Sequence, residues 1–250
     1  MTAAADQWEA DLEWVDLFTD DFSPRVVAAR VTSSGDDLLS VEFTAADGTP
    51  RVGAMAVSDW LPRLRPTPGA LVVATQMDDS DRPRLSMTDP ALVSSALDGI
   101  SPEVRTGAVR VMEVAREPGR RTKVAVAATA AGVDPVAACV GRGHGRVDAL
   151  REVLGGEQVD VVAWHPDRLR FLANAMQPAS VVAIWFDAAA GMALVAAPDH
   201  QMPSAVGAGG LNSLLAARLV EAKVRVVPAS KCDALAGRIG APQFVPSQVA

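Results

Sequence analysis

Tyrosine is absent from these 250 residues, cysteine occurs twice, histidine three times and lysine three times. Cys139 and Cys232 lie far apart with no C-x-x-C spacing. That excludes a disulfide framework or a structural zinc and suits a reducing cytoplasm. His144, His165 and His200 form no H-x-x-x-H or H-E-x-x-H pattern, so no metal site is expected. No run reaches the roughly 18–20 uncharged apolar residues of a membrane span. The N-terminus lacks a basic segment followed by an apolar one, so neither a membrane nor a secretory signal is expected. The excess of arginine over lysine, 20 to 3, reads as genomic base composition and carries no chemistry.

What the chain does have is apolar substance, with 49% hydrophobic residues, enough for a full core in one large domain or two to three small ones. Its net charge of −7 is unevenly spread. Residues 1–22 carry seven acids and no base, whereas 91–178 and 179–250 each carry one more base than acid. In that acidic segment Trp8, Leu12, Val15 and Phe18 fall at helical spacing. The segment reads as a short amphipathic helix, docked on the body or offered to a protein partner.

Five short apolar stretches follow, at 25–31, 38–43, 51–57, 70–76 and 84–88, separated by "SSGDD", "AADGTP", "RPTPG" and "DDSDRP". Five strands in so short a span predict a small closed barrel of the OB type. Such barrels bind single strands by stacking bases on aromatics, for which this one offers Phe43 and Trp60 and a net negative charge.

From residue 91 the pattern becomes helix, strand 108–115, strand 122–129, short helix 135–140, a glycine turn, helix, strand and helix. The order strand, strand, short helix, glycine turn, helix, strand then recurs through "VVAIWFD", "MALVAA", "HQMPSAV", "GAGG", "LNSLLAARLV" and "KVRVVPA". The first turn, Gly141, Arg142, Gly143, His144, Gly145 and Arg146, follows a helix rather than a strand. Its G-x-G-x-G spacing also misses the dinucleotide fingerprint, and no G-K-[ST] follows for a P-loop. A glycine turn between two helices of a small α/β unit instead suits the KH fold, whose loop clamps the backbone of single-stranded RNA. Phosphate needs close approach to helix ends, which side chains obstruct. Cys139 falls on an apolar helix face and reads as a packed thiol rather than a nucleophile.

The stretches "REPGRRTKVAVAATAAGVDPVAACVG", "LGGEQVDVVAW" and "FLANAMQPASV" closely resemble the first KH domain of the bacterial NusA transcription factors. "AVGAGGLNSLLAARLVEAKVRV" resembles the second. The resemblance implies a multidomain α+β chain, an S1-type OB barrel followed by two tandem type II KH domains. It divides into an acidic segment 1–22, barrel 23–90, first KH 91–178, second KH 179–240 and a frayed tail 241–250. It implies a cytoplasmic elongation, termination or antitermination factor that binds RNA polymerase and single-stranded RNA, with no catalytic residues and no cofactor. The implied RNA contacts are Gly141 to Arg146 with Arg120, Arg121 and Lys123, and Gly207, Ala208, Gly209 and Gly210 in the second loop. Three departures stand out: only some 22 residues precede the barrel, where the family has a larger polymerase-binding domain. His144 stands at the second glycine of the first G-x-x-G loop, and Ala208 and Gly209 stand where lysines are usual. These departures imply a weakened RNA grip. Two alternatives stay open: a divergent paralogue working through its acidic segment on protein partners, and a KH scaffold repurposed as an enzyme.

Overall fold

A computed structural model describes residues 26–45, 47–61 and 67–246. The chain divides into two compact units. One takes in the described residues up to Val109, with Pro118–Arg120 and Ala137–Gln158; the other takes in Arg110–Glu117, Arg121–Val136 and the described residues from Val159 onward. The acidic segment with Trp8, Leu12, Val15 and Phe18 lies outside the described residues.

In the first unit, β1 (Val26–Ser34), β2 (Leu38–Thr44), β3 (Pro50–Ala56), β4 (Leu71–Gln76) and β5 (Leu85–Ser86) form one sheet in the order β3-β2-β1-β4-β5. Alternation along each strand sends one face inward. Val27, Ala29 and Val31 meet Leu39, Val41, Phe43, Val72 and Ala74 in a single buried cluster. The sheet curls, because Ala54 N–H donates to the Pro83 carbonyl at 2.9 Å and Ala54 bridges Arg84 in parallel. This close approach requires a glycine. A Cβ on Gly53 would strike Leu85 Cδ1 and come within 2.9 Å of the Pro83 oxygen. Gly53→Ala is expected to cost about 1–3 kcal/mol of stability through overpacking, read by urea unfolding. Buried Asp59 is held by Arg84, whose Nε and Nη2 each donate at 2.7 Å to a different carboxylate oxygen. Phe43 and Trp60, the two candidate stacking aromatics, are both buried, and the Trp60 indole N–H donates to the Met55 carbonyl. They build the core and offer no surface to a base. Also in this unit are α1 (Ala91–Ile100) and the short α2 (Pro102–Arg105), the latter a helix that periodicity did not show.

The second unit holds two three-stranded sheets. β6 (Val109–Glu117), β7 (Arg121–Ala128) and β8 (Gln158–Ala163) lie in the order β6-β7-β8. β9 (Ala183–Asp187), β10 (Met192–Ala197) and β11 (Lys223–Pro228) lie in the order β11-β10-β9. β10 pairs antiparallel with β9 and parallel with β11, so Val195 sits opposite Ile184 on one side and Val226 on the other. Along the chain α3 (Pro135–Val140) and α4 (Gly145–Val153) separate β7 from β8. After α5 (Arg168–Ala175) and β9–β10, α6 (Met202–Val206) and α7 (Leu211–Leu219) separate β10 from β11. The element order helix, strand, strand, helix, helix, strand therefore occurs twice. One core joins the two sheets: Ala125 and Val162 from the first sheet cluster with Phe171 and Leu172 of α5, Ile184 and Val195 of the second sheet, and Leu215 and Leu219 of α7.

A last helix, α8 (Cys232–Ile239), was not legible in the sequence. It covers a second face, where Leu235 and Ala236 pack with Ala183, Trp185 and Ala196. The described part of the expected frayed tail is also held. Ile184 N–H donates to the Phe244 carbonyl at 2.8 Å, and the Trp185 indole N–H donates to the Gly240 carbonyl at 2.8 Å. A sheet edge leaves unpaired donors, and this segment satisfies them on β9.

Candidate nucleic-acid interface

The first glycine turn joins α3 to α4. Asp134 accepts the Val136 N–H at 2.9 Å, and proline opens α3, where its missing donor does no harm. The helix stops at Gly141, whose φ of 75° and ψ of 167° turn the chain away. Gly143 (φ 59°, ψ 27°) and His144 (φ 67°, ψ 9°) are both left-handed, and Gly145 at φ −57° is already helical. Gly141 also makes room: a Cβ there would lie 2.6 Å from Arg146 Cγ.

The second turn has the same backbone. Gly207 sits at φ 77°, ψ 165°, Gly209 at φ 62°, ψ 26° and Gly210 at φ 78°, ψ 7°, with Leu211 helical at φ −68°. Position by position, Gly141 corresponds to Gly207, Arg142 to Ala208, Gly143 to Gly209 and His144 to Gly210. At the position where one loop has histidine and the other glycine, φ is 67° against 78°. In both loops that residue's N–H donates to the first glycine's carbonyl, at 3.2 Å from His144 and 3.0 Å from Gly210. A non-glycine residue at this φ costs on the order of 1 kcal/mol.

Each loop is clamped from behind by the fifth residue after its first glycine. Arg146 Nη1 donates to the Ala138 carbonyl and, at 2.7 Å, to Glu103 Oε2. Asn212, fully buried, donates from Nδ2 to the carbonyls of Ala205 at 3.1 Å and Met176 at 2.9 Å. These clamps were missed in the sequence; the shared spacing after the glycine was the signal that could have found them. Arg146 is therefore engaged in shaping the loop. Cys139, just before it, is fully buried, and burial, with Glu103 adding to it, pushes its thiol up to about 11. A thiol so protonated is a packing group.

Two expected RNA contacts are corrected by burial, and a third is engaged within the protein. Lys123 is 0% exposed, and its ammonium donates to Asp160 Oδ2 at 3.0 Å and to the Gln177 carbonyl at 2.6 Å. Arg121 is likewise buried, its Nε donating to Asp160 Oδ2 at 2.7 Å. Both charges serve β7 and β8, because a buried cation needs a counter-ion. Arg146 is the third, through its clamp. Of the candidates, Arg120, Arg142, Gly143, His144 and Gly145 are exposed, and neither the Arg142 guanidinium nor the His144 imidazole has a hydrogen bond or ion pair among the described residues. In the second loop Ala208 and Gly209 are exposed and bring no charge, while Gly207 and Gly210 are half-buried. Beside that loop runs a concave surface of about 720 Å³ lined by Gly210, by Ser213, Leu214, Ala217 and Arg218 of α7, and by Lys223. Leu214 is 44% exposed there. Among the described residues no group of three His, Cys, Asp or Glu is placed to hold a metal, and no helix is long and apolar enough to cross a membrane.

Comparison with known proteins places both loops inside recognised domains. The family model of the NusA-like first KH domain matches residues 87–164, and that of the NusA-like second KH domain matches residues 168–233. The transcription termination/antitermination protein NusA of Halalkalibacterium halodurans is 36% identical over 151 residues, covering 60% of this chain and 40% of the relative. That of Mycobacterium tuberculosis is 41% identical over 136 residues, covering 54% and 39%. That of Thermus thermophilus is 42% identical over 118 residues, covering 47% and 30%. This chain thus matches at most two fifths of the length of these relatives. Among solved structures, the crystal structure of APE1850 is similar over 56% of this chain and 96% of its own, at 21% identity and a TM-score of 0.40.

Proposed function

We propose, from the premise that this chain belongs to the NusA-like family through its two KH domains, that it is a transcription termination or antitermination factor gripping single-stranded RNA mainly by its first loop. The observation that carries this reading is the asymmetry between two loops of one backbone. The first presents Arg142 and His144 to solvent, and the second presents Ala208 and Gly209. The amide groups at the start of α4 would face a phosphate, and Arg142 would neutralise it. The second loop offers the same backbone without charge, so total affinity should fall below that of a chain with two basic loops.

The curled five-stranded sheet is read as the S1-type barrel, since its first strand lies between β2 and β4 and its last reaches back to β3. RNA polymerase is the proposed protein partner, the cytoplasm the proposed compartment, and the activity non-catalytic. The test is RNA binding across salt. Affinity is expected to fall steeply with salt, and Arg142→Ala should lower the log–log slope by about 1. No binding at low salt overturns the reading. Exposed Leu214 beside the uncharged second loop favours the rival, a protein-interaction module. Under that rival, deletion of residues 1–22 abolishes partner capture while RNA binding is absent throughout.

A further inference from the structure

We propose that His144 is a ligand-contacting residue of the first loop, its imidazole donating a hydrogen bond to a phosphate or ribose oxygen of the strand that Arg142 holds. The inference rests on the RNA-binding reading of that loop and adds to it the chemistry of one side chain. His144 is one of two non-glycine residues with positive φ among those described, and the fold has no need of it there. The second loop builds the same turn with Gly210.

The residue's backbone is already committed, since its N–H closes the turn on the Gly141 carbonyl. What the position adds is the ring. At Gly210, in the matching geometry, a Cβ would meet nothing within 4 Å, so this position directs a side chain away from the protein. His144 is accordingly exposed, two residues from exposed Arg142, and no described residue bonds its imidazole. A strained residue whose side chain touches nothing within the protein points to a use outside it. A strand with one phosphate at Arg142 brings the adjoining sugar-phosphate oxygens over this ring. The imidazole supplies a ring N–H there.

The experiment measures fluorescence anisotropy of a labelled mixed-sequence single-stranded RNA of about 12 nucleotides with the full chain and four variants. His144→Gly is expected to weaken binding about three- to ten-fold, the worth of one hydrogen bond, while the thermal midpoint stays level or rises. His144→Gln, which keeps a donor without a ring, should stay within about two-fold of the parent. His144→Phe, which keeps a ring without a donor, should match the glycine variant. Retained binding in His144→Phe with loss in His144→Gln would assign stacking and overturn the hydrogen bond. Unchanged affinity in all three, with Arg142→Ala still weakening binding, sinks the role of His144 and leaves the RNA reading standing. A lower thermal midpoint in His144→Gly makes the residue structural and overturns the proposal. Absence of binding by the parent chain at low salt removes the RNA reading, and this inference with it.

Discussion

Asp160→Ala is expected to destabilise the chain by about 3–5 kcal/mol at neutral pH, the cost of leaving a buried cation without its partner. Asp160 lies on β8 and accepts from two cations on β7, Arg121 at 2.7 Å and Lys123 at 3.0 Å. Lys123 is 0% exposed, and its one other acceptor is the uncharged Gln177 carbonyl. Truncating the carboxylate leaves both cations facing one another with no negative charge to separate them. Urea unfolding at pH 7 reads the loss. Lys123→Met in the Asp160→Ala background should recover part of it, because a methionine of similar length needs no counter-ion. A double variant no more stable than Asp160→Ala alone would show that the ion pair is not what matters.

The same lysine makes stability depend on pH in a direction that can be worked out. Burial lowers its pKa from 10.5 to about 8, with Arg121 pushing the same way and Asp160 opposing. Between those values the unfolded chain holds a proton that the folded chain has released, so stability rises with pH across the window. Below pH 8 both states hold the proton and the contribution is flat. The difference in unfolding free energy between the parent and Lys123→Met isolates it and should grow in the parent's favour from pH 8 to 10.5. For the same reason the Asp160→Ala penalty should shrink over that range, since a neutral amine needs no carboxylate.

The second large effect concerns the glycines of the uncharged loop. Gly207→Ala places a Cβ 2.6 Å from the Asn212 backbone nitrogen, at a φ of 77°. The nitrogen belongs to the first turn of α7 and cannot swing aside as a long side chain can. Strain at positive φ and the steric clash each contribute about 1–3 kcal/mol, so a loss of about 2–6 kcal/mol is expected. Gly210→Ala, three residues on, meets nothing within 4 Å and carries the φ penalty alone, on the order of 1 kcal/mol. Unfolding curves of the two variants should separate clearly. Equal losses would mean that backbone angle, not contact, sets the requirement at Gly207. In the first loop a Cβ on Gly141 would meet Arg146 Cγ at 2.6 Å and Cβ at 2.9 Å, the root of a side chain already clamped at its far end, so Gly141→Ala should cost about as much as Gly207→Ala.

Much of this architecture could be read from local pattern. The alternation of apolar residues placed the strands from β1 to β11 to within a few residues, and the repeated order of elements disclosed two similar halves. The glycine turns were legible because the need for positive φ is local: it is written into Gly141, Gly207, Gly209 and Gly210 whatever surrounds them. Even the anomaly at His144 showed in the sequence, as a side chain where the matching position has none. The short α2 and the terminal α8 escaped because their stability comes from what they pack on; α8 has a face only once Trp185 and Ala196 present one.

The fate of each charge was decided by the tertiary structure alone. Arg121, Lys123, Arg142 and Arg146 look alike in a basic, glycine-rich sequence. Whether one of them is a ligand contact or a counter-ion depends on acids far along the chain. Asp160 stands 37 residues from Lys123, and Glu103 stands 43 residues from Arg146. Folding brings those carboxylates to the cations, and desolvation then makes each pairing obligatory. Arg142 has no such carboxylate among the described residues. By itself the sequence determined where the two loops are and which backbone they adopt. The packing determined which cations they have left to offer, because the worth of a charge is set by neighbours that only the fold supplies.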